Sequence, residues 1–241
     1  MKFLNKFYLL LSLALLPIIT NLKSEILPGQ ITPENTIFAF DLHDVVLKTQ
    51  TYKATIDFIK KFPHLTAIKL IFTPGAIKEI KKQHKRYGKS PKFFDEVAKK
   101  YPAIAKCKST ILELTNYQDV NTEMFDIIKK IKQLGYKTYV FSNISTESLN
   151  YLKQNQKELI SLFDGIQNPN EQNNFVRKPN PKAYALFKNY LKQNSDNNKS
   201  IIFLDDDIKN VDVANKYGFA GIRYKSADKF KRKLIKHGVK L

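Results

Sequence analysis

The chain has 241 residues, 43% of them hydrophobic, which is long enough for a sizeable core and too apolar for a disordered segment. Its net charge of +19 raises nucleic acid as a partner, yet only four of its 41 basic residues are arginine, the side chain whose planar fork reads bases. The charge is therefore assigned to a solvated lysine coat rather than a nucleic-acid interface, and the single cysteine, Cys107, excludes a disulfide framework or a cysteine-built zinc cluster.

Lys2 and Lys6 precede an apolar stretch over residues 7–19. That is the layout of a signal peptide, and the stretch is too short to span a bilayer comfortably. Residues 1–24 are thus expected to direct export, giving a periplasmic or secreted protein. An uncleaved anchor or a cytoplasmic apolar helix is the alternative, so membrane contact is expected only through this segment. Residues 25–35, broken by Pro28, Gly29 and Pro33, form a linker. A short β-branched and aromatic run, Thr36-Ile37-Phe38-Ala39-Phe40, then reads as a buried parallel strand.

Residues 47–122 carry charged, amphipathic stretches at 53–62, 75–87 and 90–101, separated by Pro63, Pro74, Gly88 and Pro102. They read as short helices inserted after the first strand, a cap over whatever the strand presents, with Cys107 packed inside. Met124, Ile127, Ile128, Ile131 and Leu134 mark one helix face, capped by Asn121 or Thr122 and closed by Gly135. Strands follow at 138–141, 201–204 and 220–224. Between them lie helices through Tyr184, Phe187 and Leu191 and through Val211 and Ala214. Alternation of this kind predicts an α/β fold, a Rossmann-like parallel sheet built from residues 36–46 and 123–224. Residues 225–241 form a basic C-terminal helix or tail with Phe230, Leu234 and Ile235 on one face.

Polar residues stop the strands in a telling way. Asp41, His43 and Asp44 follow the first, Ser142 and Asn143 the second, and Asp205 and Asp206 the third, with Lys178 in a nearby loop. Ligands of open α/β sheets bind beyond the carboxyl ends of the strands, so these groups are expected in one crevice. Asp41 can act as a nucleophile, and Asp41, Asp206 and Asp205 offer the hard oxygens that Mg²⁺ prefers. Ser142, Asn143 and Lys178 can hold and neutralise a phosphoryl group. His64, His84 and His237 lack metal-ligand spacing and are expected on the surface.

The motifs Phe40-Asp41-Leu42-His43-Asp44-Val45-Val46, Phe141-Ser142-Asn143, Arg177-Lys178-Pro179-Asn180-Pro181 and Phe203-Leu204-Asp205-Asp206-Asp207 occur in this order. The stretch Leu162-Phe163-Asp164-Gly165-Ile166 fits as a connector. Together they resemble the haloacid dehalogenase (HAD) superfamily. The resemblance implies a Rossmann-like core with a helical cap between the first two motifs. It also implies Asp41 as nucleophile, with Mg²⁺ held by Asp41, the backbone carbonyl of His43 and Asp206. A Mg²⁺-dependent phosphomonoesterase acting on a small phosphorylated molecule through an aspartyl-phosphate is the expected activity. One position departs: phosphatases of the superfamily carry an acid–base aspartate two residues after the nucleophile, where this chain has His43. Asp44 is one residue out of register and expected to point elsewhere. Imidazole can serve as acid and base near neutrality. The alternative is a weakly active or inactive exported binding protein that keeps the fold.

Overall fold

The computed structural model describes residues 31–50, 72–88, 91–114, 117–194, 196 and 198–241, with a few positions between 53 and 69. The segment 1–24, most of the linker and the helix expected over 53–62 lie largely or wholly outside the described residues. Chain order begins β1 (Thr36–Phe40), β2 (Leu47–Thr49), α1 (Ala76–Tyr87), α2 (Pro91–Ala98), a 3₁₀ turn (Pro102–Cys107), α3 (Lys108–Leu114) and β3 (Gln118–Val120). It continues α4 (Thr122–Gln133), β4 (Lys137–Phe141), α5 (Thr146–Asn155), α6 (Lys157–Ser161) and β5 (Gly165–Gln167). Last come α7 (Pro181–Gln193), β6 (Ser200–Asp205), α8 (Ile208–Lys216), β7 (Ala220–Arg223) and α9 (Ala227–Lys236).

Every residue of β1 is buried, because the strand lies at the centre of an all-parallel sheet ordered β5-β4-β1-β6-β7 and is covered on both faces. Side chains alternate between the faces. Phe38, Phe40, Val140, Ile202 and Leu204 pack with Met124, Ile128 and Ile131 of α4, whereas Ile37, Ala39, Tyr139 and Phe203 pack with Tyr184 and Phe187 of α7. This is the expected α/β sandwich, and its register sets the site. Phe40 pairs with Val140 on one side and Leu204 on the other, so the three strands end level. The Asp41 N–H then donates to the Leu204 carbonyl at 2.9 Å, which fixes the backbone where β1 stops.

The structure also departs from the sequence reading. Residues 165–167, read as part of a connector, form the edge strand β5 against β4. Two further strands, β2 and β3, pair antiparallel at the roots of the helical insertion. Asn121 stands before α4 as expected but makes no side-chain cap. Its amide donates instead to the Val45 carbonyl and to the Tyr224 hydroxyl, both at 2.9 Å, so long-range partners outcompete the local cap. The C-terminal segment packs as an integral helix: Phe230 and Leu234 are buried, and Phe230 meets Phe40 edge-on at 6.2 Å. Ile235, expected on the same face, is 48% exposed, since one step beyond Leu234 turns it away from the sheet.

Helices α1 and α2 and the 3₁₀ turn carry a core of their own, where Phe93, Phe94, Val97, Ile104 and Cys107 are buried together. Cys107 is a packing residue there, as expected, and burial pushes its thiol up from the ordinary value. No described helix is long and apolar enough to cross a membrane.

Candidate active site

Asp41 stands one residue past β1, Ser142 one past β4, and Asp205 closes β6, so the parallel register delivers all three to one edge of the sheet. Lys178 comes from the loop before α7 and is 4% exposed. Its ammonium lies 2.5 Å from Asp205 Oδ2 and 3.2 Å from Asp41 Oδ1. It also sits over the Phe141 and Phe203 rings, 5.1 and 4.9 Å from their centroids. A buried ammonium costs several kcal/mol of desolvation unless paired, and here two carboxylates and two ring faces offset that cost.

Asn143 fixes the lysine from behind. Its side-chain oxygen accepts from the Lys178 N–H and its side-chain nitrogen donates to the Lys178 carbonyl, each at 2.9 Å. The side chain expected to bind phosphate is therefore engaged in holding the lysine loop. No described residue accepts the Asn143 backbone N–H, which leaves that group for a ligand. Ser142 is buried beside it, and its hydroxyl accepts from the Ile144 N–H at 3.3 Å.

Asp205 and Asp206 divide the work of the acidic pair. Asp205 is fully buried; its oxygens accept from Lys178, from the Asn210 amide at 2.9 and 3.0 Å, and from the Asp207 N–H at 2.9 Å. Asp206 is partly exposed. Burial, then the charges of Asp205 and Asp41, push its carboxyl up to about 6. One oxygen from each of Asp41, Asp205 and Asp206 falls within a 4.8 Å cluster. The ammonium near Asp41 Oδ1 is at ion-pair distance but out of line for a hydrogen bond, so that buried oxygen has no donor among the described residues. Crowded carboxylates with an unsatisfied oxygen fit a divalent cation of the oxygen-preferring kind. With the acceptors of Asp205 already used, Asp41 and Asp206 have the most capacity to hold it.

A cavity of about 400 Å³ opens over this end of the sheet. Asp41, His43 and Asn143 line it, while Lys178, Asp205 and Asp206 meet Asp41 beside it and do not line it. Asp44 lines it too, against the expectation that it points elsewhere. Its backbone takes a left-handed φ of 56°, and its carboxylate accepts from the Thr49 hydroxyl, another residue of the cavity wall, at 3.3 Å. His84 is exposed, as expected, but at this cavity's wall; Arg177 and Tyr117 line it as well. These wall residues were not recognised as site residues in the sequence, because the fold brings them there from the helical insertion and from the lysine loop.

The model of the haloacid dehalogenase-like hydrolases matches residues 36–218, and the chain belongs to that family. Among curated proteins no match is found. A predicted HAD-like family hydrolase of Porphyromonas gingivalis superimposes with a TM-score of 0.59 at 17% identity, over 83% of this chain and 97% of that one. A HAD family enzyme of Bacteroides thetaiotaomicron, solved in complex with magnesium and inorganic phosphate, gives 0.55 at 18% identity, over 79% of this chain and 94% of that one. A dehalogenase gives 0.55 at 14%, over 84% and 98%. At such identities these likenesses speak for the fold, and the chain's own residues must speak for its chemistry.

Proposed function

We propose that this family member is a Mg²⁺-dependent phosphomonoester hydrolase for a small phosphorylated substrate. The observation that carries the reading is the buried trio of Asp41, Lys178 and Asp205 beside the crowded carboxyl of Asp206. A nucleophilic carboxylate approaching a phosphate meets like charge, and this site holds an ammonium and a cation-ready cluster against that repulsion. The magnesium- and phosphate-bound Bacteroides relative supports the same choice of ligands.

In the proposed reaction an Asp41 carboxylate oxygen attacks phosphorus as the bond to the leaving oxygen breaks, and His43 gives that oxygen its proton. Neutral His43 then takes a proton from water, which attacks phosphorus, releases phosphate and regenerates the Asp41 carboxylate. Lys178 neutralises charge on the phosphoryl oxygens, while the Ser142 hydroxyl and the Asn143 backbone N–H donate to them. Mg²⁺, held by Asp41, Asp206 and the His43 carbonyl with Asp205 behind, would supply Lewis-acid charge neutralisation. The helical insertion acts as the cap that admits substrate. Export through residues 1–24 completes the reading; N-terminal sequencing of secreted or periplasmic protein should find those residues removed, and an intact Met1 in the cytoplasm would refute it.

The activity test is phosphate release from an aryl phosphate with and without Mg²⁺. Metal-dependent release is expected. Halide release from a 2-haloacid without phosphate release would make the protein a dehalogenase, and phosphate binding without turnover would make it a binding protein.

A further inference from the structure

We propose that the substrate carries a second anionic group, a carboxylate or phosphate on its leaving portion, and that Arg177 reads it across the seam between core and insertion. This rests on the phosphomonoesterase reading for the position of the first phosphate. The argument begins with how the guanidinium is seated. Nη1 donates to the His84 carbonyl in the last turn of α1, at 3.2 Å. The group also lies so close to Gly88 that a Cβ there would fall 2.5 Å from Nη1. Gly88, at φ +64°, ends α1 and leaves room for the guanidinium, so the arginine rests in a shaped seat instead of waving in solvent.

The seat lacks an anion. Among the described residues no carboxylate pairs with Arg177, and its other N–H donors have no acceptor. Burial disfavours its charged form, which an anion seated beside it would restore. Surface lysines of this chain face bulk water, but this cation lines the same cavity as Asp41. Polar groups share the wall with it: His84, Tyr117, Gln118, Ser145 and Ser148 contribute hydroxyl, amide and imidazole groups, and the Asp41 and Asp44 carboxylates mark where the cation and phosphate belong instead. Arg presents parallel N–H donors that match a carboxylate or phosphate edge. A purely apolar leaving group would desolvate that guanidinium for nothing in return.

The test is a binding measurement, so it does not depend on turnover. Calorimetric titration of the Mg²⁺-loaded protein should compare phosphonoacetate and its longer homologues with alkylphosphonates of matched length, which lack only the carboxylate. At one chain length the phosphonocarboxylate should bind about tenfold to a hundredfold more tightly, the worth of hydrogen bonds to a charged group. Arg177→Gln should bring that ratio towards one. Equal affinities at every length in the native protein, absence of binding by either series, or an undiminished ratio in the variant would each overturn the proposal. Failure of the hydrolase reading would show separately, as no Mg²⁺-dependent phosphate release alongside an intact binding preference.

Discussion

Lys178 and Arg177 are neighbours in the chain, yet one belongs to the sheet edge and the other to the seam with the insertion. At the sheet edge the ammonium is 4% exposed, flanked by two carboxylates and two aromatic rings, its backbone clamped on both sides by one asparagine. At the seam the guanidinium is partly exposed and meets a single carbonyl of the insertion. The contrast divides the labour of the site. Groups that must be placed to fractions of an ångström sit on strand ends that the sheet register holds level, or are paired to them as Lys178 is. Groups that must adapt to a substrate body lie where the core meets helices with a separate small core.

If this contrast is right, damage to the buried charges at the sheet edge should cost both fold and function, loss of a cavity-lining group there should cost function alone, and damage in the insertion should cost little of either. Lys178→Met should be the severest, because it leaves Asp41 and Asp205 buried without their cation. Removing one partner of such a group costs about 3–5 kcal/mol, readable as a lower urea midpoint, and hydrolysis should vanish with it. His43→Ala comes next, with an expected loss of about 10²–10⁴-fold in kcat and a near-native melting temperature, the usual worth of one acid–base group. His43→Asp should recover the rate. An unchanged rate in His43→Ala would make His43 a bystander and shift attention to Asp44, which lines the same cavity.

A smaller effect concerns pH. Asp206 holds its proton up to about 6 in the fold, above the 3.8 of an unstrained aspartate. Between those values the folded state binds the extra proton, so with a chelator present this group makes the protein more stable as pH falls through about 6, and less stable as pH rises. Mg²⁺ binding needs the carboxylate, so Mg²⁺ affinity should rise across the same interval. Thermal stability should therefore fall with rising pH in the chelated protein and flatten over the same interval with saturating Mg²⁺, and equal slopes would remove Asp206 from the metal site. Smallest of all is Tyr101→Phe in the insertion, which deletes the hydroxyl that donates to the Pro74 carbonyl at 3.0 Å. It should cost about 0.5–1.5 kcal/mol and leave aryl phosphate hydrolysis near the native rate. A large loss of activity would show that the insertion is as tightly coupled to the chemistry as the sheet edge.

The same division explains what could be read before folding. The central strands were legible because β1, β4 and β6 are short continuous runs of β-branched and aromatic residues, each stopped by a polar residue that the fold uses. The edge strand Gly165–Gln167 and the pair Leu47–Thr49 with Gln118–Val120 are three residues each and largely half-buried or exposed, so they have no apolar signature. Their pairing is set by distant chain. Asn143 was visible as a motif letter, but its work, holding Lys178 from 35 residues away, is a property of tertiary contact, as is the hold of Asn210 on Asp205. Arg177 was legible only as the residue before a lysine, because its seat is built by Gly88 of the insertion.

The central claim is that Asp41 attacks phosphorus. Rapid acid quench of the Mg²⁺-loaded protein during turnover of an aryl phosphate, followed by peptide mass spectrometry, tests it directly. A phosphoryl group on the peptide containing Asp41, labile to base and absent from Asp41→Asn, is the expected result. Hydrolysis that persists in Asp41→Asn, or a phosphoryl group found on another residue, would contradict it.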